Sequence, residues 1–159
     1  MEIYALQVNH LSNPLGYALG KGKLSFSWKV KDAKGKSQTY ARVRIAADEA
    51  MQEILFDSGE DREANSLGYK IDFKTESRTR YYWTLELASE ADEVTVSAPQ
   101  FFETAKMDEA WTGRWITCST DQARHPYFVK DIAAKEEVVR ARLYVCGLGL
   151  YEAYWDDKK

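Results

Sequence analysis

Three stretches of this chain alternate apolar and polar residues with a period of two. Leu24, Phe26, Trp28 and Val30 alternate with Ser25, Ser27 and Lys29. Ala41, Val43, Ile45 and Ala47 alternate with Tyr40, Arg42 and Arg44, and Tyr81, Trp83, Leu85 and Leu87 form the strongest set. Successive side chains on a strand point to opposite faces, so each stretch predicts a strand that buries one face and wets the other. Such strands must stack in sheets. Turn signals separate them at Asn13-Pro-Leu-Gly16, Asp32-Ala-Lys-Gly35 and Asp57-Ser-Gly59. Leu6 and Val8 fit a first short strand. A last strand is expected from about Val94 to Thr104, with Pro99 marking an edge position or a bulge. Asp48 is placed to cap a helical turn over Glu49–Leu55, on which Met51, Ile54 and Leu55 share a face. The first 105 residues therefore read as an all-β sandwich, with Trp28, Tyr81 and Trp83 in its core.

Beyond it, Lys106–Gly113 reads as a connector, with Met107 and Trp111 expected to pack across the junction. Trp115-Ile116 starts a strand, and Tyr127 to Ile132 show a mixed pattern that suits burial on both faces or a bulge. Ala133 to Glu137 is a polar connection. Val139, Ala141, Leu143 and Val145 then alternate with Arg140, Arg142 and Tyr144; Gly147 and Gly149 mark a turn; Tyr151, Ala153 and Trp155 begin another alternation. A hairpin at the very end needs further strands to pair with, and roughly 50 residues bury too little surface to be stable unaided. Residues 106–159 are thus expected to be the truncated start of a second β-sandwich, and the whole chain the front part of a larger protein.

Composition excludes several function classes. Charged residues make up 30% of the 159, with a net charge of −3 and no Lys/Arg block, so neither disorder nor nucleic-acid binding is expected. No apolar run approaches the ~20 residues of a membrane helix. The start, Met1-Glu-Ile-Tyr-Ala-Leu, lacks the pattern of a signal peptide. With two isolated cysteines, Cys118 and Cys146, it suggests reduced thiols and a cytoplasmic location. The two histidines, His10 and His125, join no tight cluster of Asp, Glu or Cys, so neither a metal nor another cofactor is expected. Cys118 with His125 as nucleophile and base is outweighed by an incidental thiol. Gly20-Lys-Gly-Lys23 lacks the spacing and following helix of a phosphate loop. Glu136-Glu137 reads as a solvated face. Glu152 and Asp156 share a side only of a regular strand.

Thr79-Arg-Tyr81 at the start of the strongest strand, with Trp28 on an early one, resembles the fibronectin type III fold, an immunoglobulin-like sandwich. There a tyrosine at this position anchors a corner through its hydroxyl. The proline and leucine usual upstream are replaced by Ser77 and Thr75. The resemblance extends over nearly the whole chain to the N-terminal region of bacterial α-L-rhamnosidases. The segments that carry it are Asn9-His-Leu-Ser-Asn-Pro-Leu-Gly16, Leu24-Ser-Phe-Ser-Trp28, Gln38-Thr-Tyr-Ala-Arg42, Asp57-Ser-Gly59 and Arg78-Thr-Arg-Tyr-Tyr-Trp83. They continue with Phe102-Glu-Thr104, Trp111-x-x-x-Trp115-Ile116, Arg124-His-Pro-Tyr-Phe128 and Ala141-Arg-Leu-Tyr-Val-Cys-Gly-Leu-Gly-Leu-Tyr-Glu152.

The resemblance implies a fibronectin-like domain over 1–105 and, over 106–159, the start of a jelly-roll sandwich like that of carbohydrate-binding modules. It implies that the inverting catalytic acids lie in an (α/α)6 barrel further on, so no catalytic residue is assigned here. The chain is then a non-catalytic accessory region that positions the barrel and assists sugar binding. The alternative is a stand-alone fibronectin-type module that binds protein partners. Arg140, Arg142, Tyr144, Tyr151 and Trp155 are the candidate sugar or domain-interface surface. A packing interface with the remaining domains of the parent is favoured over sugar. The expected partners are those domains, carbohydrate, and a second copy through the terminal β edge; nucleic acid and membrane are not expected.

Overall fold

The alternating stretches pair into two antiparallel sheets. β1 (Glu2–Val8), β2 (Leu24–Lys31) and β5 (Tyr69–Ile71) form one, in the order β1-β2-β5. β3 (Gln38–Ala46), β4 (Ile54–Asp57), β6 (Arg80–Ser89) and β7 (Val94–Val96) form the other, in the order β4-β3-β6-β7; β8 (Gln100–Glu103) also pairs with β6. The computed structural model describes residues 1–16, 22–118, 126–133, 137–139 and 141–159. The chain divides into two units, Met1–Arg114 and Trp115–Lys159, and both sheets belong to the first. The fold is an all-β, immunoglobulin-like sandwich.

Register sets the core. Ala41 lies opposite Leu87, Val43 opposite Leu85 and Ile45 opposite Trp83, so apolar residues of β3 and β6 share one face. Leu24, Phe26 and Trp28 meet them from the other sheet, and the Phe26 and Trp83 rings pack edge to face at 4.7 Å. Trp28, Tyr81 and Trp83 are buried, at 3%, 3% and 1% exposure. The indole N–H of Trp28 has no hydrogen-bond partner among the described residues.

Two local devices adapt the strands. β1 pairs Tyr4 with Lys29 but Gln7 with Ser27, so it carries one residue too many. Ala5 absorbs the excess with φ 51°, a bulge that lets both Ile3 and Leu6 pack on the core despite their odd spacing. Residues 9–14 then run as a strap from one sheet to the other. The Asn9 side chain accepts the Ser25 N–H at 2.8 Å; the Asn13 side chain accepts that of Phe101 at 3.0 Å. The Pro14 carbonyl accepts the Glu103 N–H at 2.9 Å, which covers the outer edge of β8.

Some expectations are corrected. Glu49–Leu55 is not a helical turn. Asp48 does accept the N–H groups of Gln52 and Glu53, but Ile54 and Leu55 already belong to β4. The side chain of Asp48 satisfies a tight turn there, and pairing with β3 overrides the apolar spacing that suggested a helix. The single strand expected from Val94 to Thr104 is two, β7 and β8, both on the same edge of β6. Ser97 bonds Leu85 through its N–H and its hydroxyl, and Pro99 sits in the break. β5 is a strand the sequence reading missed: three residues are too few to show a period.

In the second unit, the described residues among 115–159 form no ladder beyond an isolated bridge between Trp155 and Lys158. Trp115-Ile116, Tyr127–Ile132 and the described residues of the hairpin Val138–Trp155, expected as strands, are not in strands there. Alternation marks which residues can share a face, but a strand exists only when another backbone pairs with it.

Candidate functional site

Several polar groups converge at the base of the sandwich. β6 begins there with Tyr81, whose ring stacks on Phe102 at 5.2 Å and meets Phe73 edge to face at 5.3 Å. Its hydroxyl accepts the Glu76 N–H at 2.7 Å, five residues upstream, and so pins the loop that leads into β6. Thr104, fully buried, fastens the same loop: its hydroxyl donates to the Glu76 carbonyl at 2.6 Å and accepts the Thr79 N–H at 2.9 Å. Arg78, at φ 54°, donates its N–H to the Ala105 carbonyl at 2.9 Å.

The residues after β8 close over this loop. Lys106 is 7% exposed; its ammonium donates to the Ala110 carbonyl at 2.9 Å and lies 5.3 Å from the centre of the Trp111 ring. The Glu109 carboxylate takes the Arg78 guanidinium at 2.8 Å and the Ser77 hydroxyl. The hydroxyl bond, then the charges of Arg78 and Lys106, hold the Glu109 carboxyl below its usual range. Lys74, Thr75, Ser77, Met107 and Glu109 line a shallow open hollow of about 380 Å³ between the two segments. Sequence reading took 106–113 as a connector with Met107 and Trp111 packing across the junction and did not foresee the bonds of Lys106 and Glu109 to residues 77–78 and 110; the dense run of charges about Arg78 and Glu109 was the available signal.

A second polar array lies on the outward face of the larger sheet. Arg42 grips Asp57 with two bonds of 2.7 and 2.6 Å. Arg44 reaches Glu86 at 2.6 Å, and the Tyr40 hydroxyl donates to Glu86 at 3.1 Å. Arg42 holds the Asp57 carboxyl below its usual range, against partial burial. At the opposite end of the sandwich, the β2–β3 turn wraps two carboxylates. Glu93 accepts the Lys34 N–H at 2.8 Å and Glu90 that of Lys36 at 2.9 Å, and both carboxyls are held low by these bonds and by Ser37 on Glu90.

The candidate surface of the second unit is placed only in part. Arg140 lies outside the described residues, as do Gly20, His125 and Glu136. Arg142 is exposed and Tyr144 half-buried. Tyr151 and Trp155 are 54% and 61% exposed. The Tyr151 ring lies on Gly147, where a Cβ would come within 2.3 Å of it. Glu152 bonds Tyr154 and Lys159, contacts that hold its carboxyl low. Among the described residues no group of three His, Cys, Asp or Glu is placed to hold a metal, and Cys118 and Cys146 are not joined in a disulfide.

Residues 3–108 match the family model described as the Rha78A-like, N-terminal immunoglobulin domain. Among solved structures, the chain is similar to an α-L-rhamnosidase of Streptomyces avermitilis solved in complex with L-rhamnose. The TM-score is 0.64 and the identity 25%, over 73% of this chain and 12% of that one. It is also similar in fold to an α-L-rhamnosidase from Dictyoglumus thermophilum, with a TM-score of 0.60 and 23% identity over 69% of this chain. The chain thus spans only 12% and 13% of the lengths of these two proteins. No curated protein matches it.

Proposed function

The chain belongs to the family of Rha78A-like N-terminal immunoglobulin domains, and from that premise we propose that it is a non-catalytic accessory region of an α-L-rhamnosidase-like glycoside hydrolase. Its role is to position the parent's catalytic domain. The observation that carries the reading is the family match over 3–108, which spans the sandwich and the corner that Tyr81 pins. Several of its acids have structural tasks: Asp48, Asp57, Glu90, Glu93, Glu109 and Glu152 are held below their usual range by backbone N–H groups, hydroxyls or cations. These carboxylates pin loops and strands.

Residues 106–159 are read as the start of a second sandwich, similar to carbohydrate-binding modules, which further strands of a parent would complete. Arg140, Arg142, Tyr144, Tyr151 and Trp155 then belong to a domain interface rather than a sugar site. The purified chain is expected to show no turnover of an aryl α-L-rhamnoside. Turnover that one carboxylate substitution in this chain abolishes would overturn the reading. Titration with L-rhamnose, followed by NMR, is expected to leave Tyr151 and Trp155 unshifted; saturable shifts there would make the surface a sugar site.

A further inference from the structure

We infer that residues 104–111 act as a clasp that holds the exit of the chain against the base of the sandwich, with Glu109 as its pin. The inference rests on the accessory reading above and gives the positioning role a physical seat. A plain linker is solvated and makes few bonds back to its domain. Here Thr104 bonds Glu76 and Thr79, Ala105 bonds Arg78, and Glu109 bonds both Ser77 and Arg78. Lys106 is buried under the same turn, its ammonium satisfied by the Ala110 carbonyl and laid against Trp111.

The bonds link two segments, 76–79 and 104–111, that are joined in sequence only through β6, β7 and β8. Burying the Lys106 ammonium costs desolvation, which the Ala110 carbonyl, the Trp111 ring and the Glu109 carboxylate offset in the closed turn, while its stem packs beneath it. The Glu109 carboxylate bridges Ser77, Arg78 and Lys106, at 3.9 Å from the last. Met107, at φ 54°, makes the tight reversal that brings Glu109 back over the loop.

Hydrogen exchange on the full chain tests this. In the wild type, the amides of Arg78, Thr79 and Glu109 are expected to exchange at least a hundredfold more slowly than in an unstructured peptide. Glu109→Ala should speed exchange at these amides about tenfold and leave those of Val43 and Leu85 unchanged. Trp111→Ala, which removes only the ring over Lys106, should speed the Glu109 amide in the same sense. Unstructured exchange rates at Glu109 in the wild type would overturn the clasp, as would a Glu109→Ala variant with wild-type protection. If Glu109→Ala melts the whole sandwich, Trp111→Ala decides by the same readout. This assay involves no rhamnoside, so its failure leaves the accessory reading standing. Conversely, rhamnoside turnover by this chain would sink that reading and leave the clasp intact.

Discussion

At the scale of single residues, close approach and backbone sign decide what is tolerated. A Cβ on Gly35 would lie 2.8 Å from Ser89 Oγ and 2.9 Å from Ser89 Cβ. Gly35→Ala should therefore destabilise the sandwich by about 1–3 kcal/mol, read from the denaturant midpoint; a midpoint equal to the wild type's would mean the β2–β3 turn stands off Ser89. Ala5 presents the converse case. Its positive φ suits glycine, so Ala5→Gly should be neutral or stabilise by up to about 1 kcal/mol, where the same change inside a regular strand destabilises. Core substitutions follow the burial. Trp28→Ala should cost about 3–5 kcal/mol through the cavity it leaves. Tyr81→Phe should cost about 1 kcal/mol or more, because the Glu76 N–H loses its acceptor. A thermal melt of Trp28→Ala that matches the wild type would contradict its position in the core. Trp28, Tyr81 and Trp83 were legible because each sits in a long period-two run. Ala5 and Gly35 were not, because nothing in a sequence says where a bulge falls or which serine a turn will press against.

At the scale of elements, carboxylates tie the loops down, and their protonation should loosen those loops first. Glu90 and Glu93 hold the β2–β3 turn, and their pKa values are depressed in the folded state. A depressed carboxyl stabilises the fold above its unfolded pKa of ~4.3 and ceases to do so as pH falls through the folded value. Exchange protection of the Lys34 and Lys36 amides should thus fall on acidification below about pH 4 while β3 and β6 stay protected; loss of all protection together would refute it. High salt should do less here than at an exposed ion pair, because the bonds come chiefly from neutral N–H and O–H donors. β2, β3 and β6 were readable from alternation alone. β4 was mistaken for part of a helical turn because Met51, Ile54 and Leu55 have helical spacing, and pairing with β3 overrode it. β5 was too short to declare itself. The base clasp was hidden for a different reason: Ser77, Arg78, Lys106 and Glu109 come together only once β6 and β8 have paired.

At the scale of the whole molecule, the contrast between the two units matters most. The first satisfies its backbone in ladders and covers its β8 edge with the strap. In the second, Tyr127, Val129, Val139, Leu148 and Leu150 are each more than 85% exposed. Apolar surface of this kind, with backbone groups outside any ladder, is a template for pairing with another chain. The full chain should self-associate at moderate concentration, and a chain ending at Arg114 should remain a folded monomer; light scattering on both decides. A strictly monomeric full chain at high concentration would show that the second unit closes on itself.

The strap also sets a clock. Asn13 bonds Phe101, 88 positions later, while neighbouring strands can form a hairpin in roughly 1–10 μs. A ribosome adding roughly 5–20 residues per second needs roughly 4–18 s to travel that distance. For all of that time β1, and β2 once it is made, stand without the strand that the loop between them grips. The sandwich is therefore finished from its beginning and its end at once, and no shorter nascent chain can be locked shut.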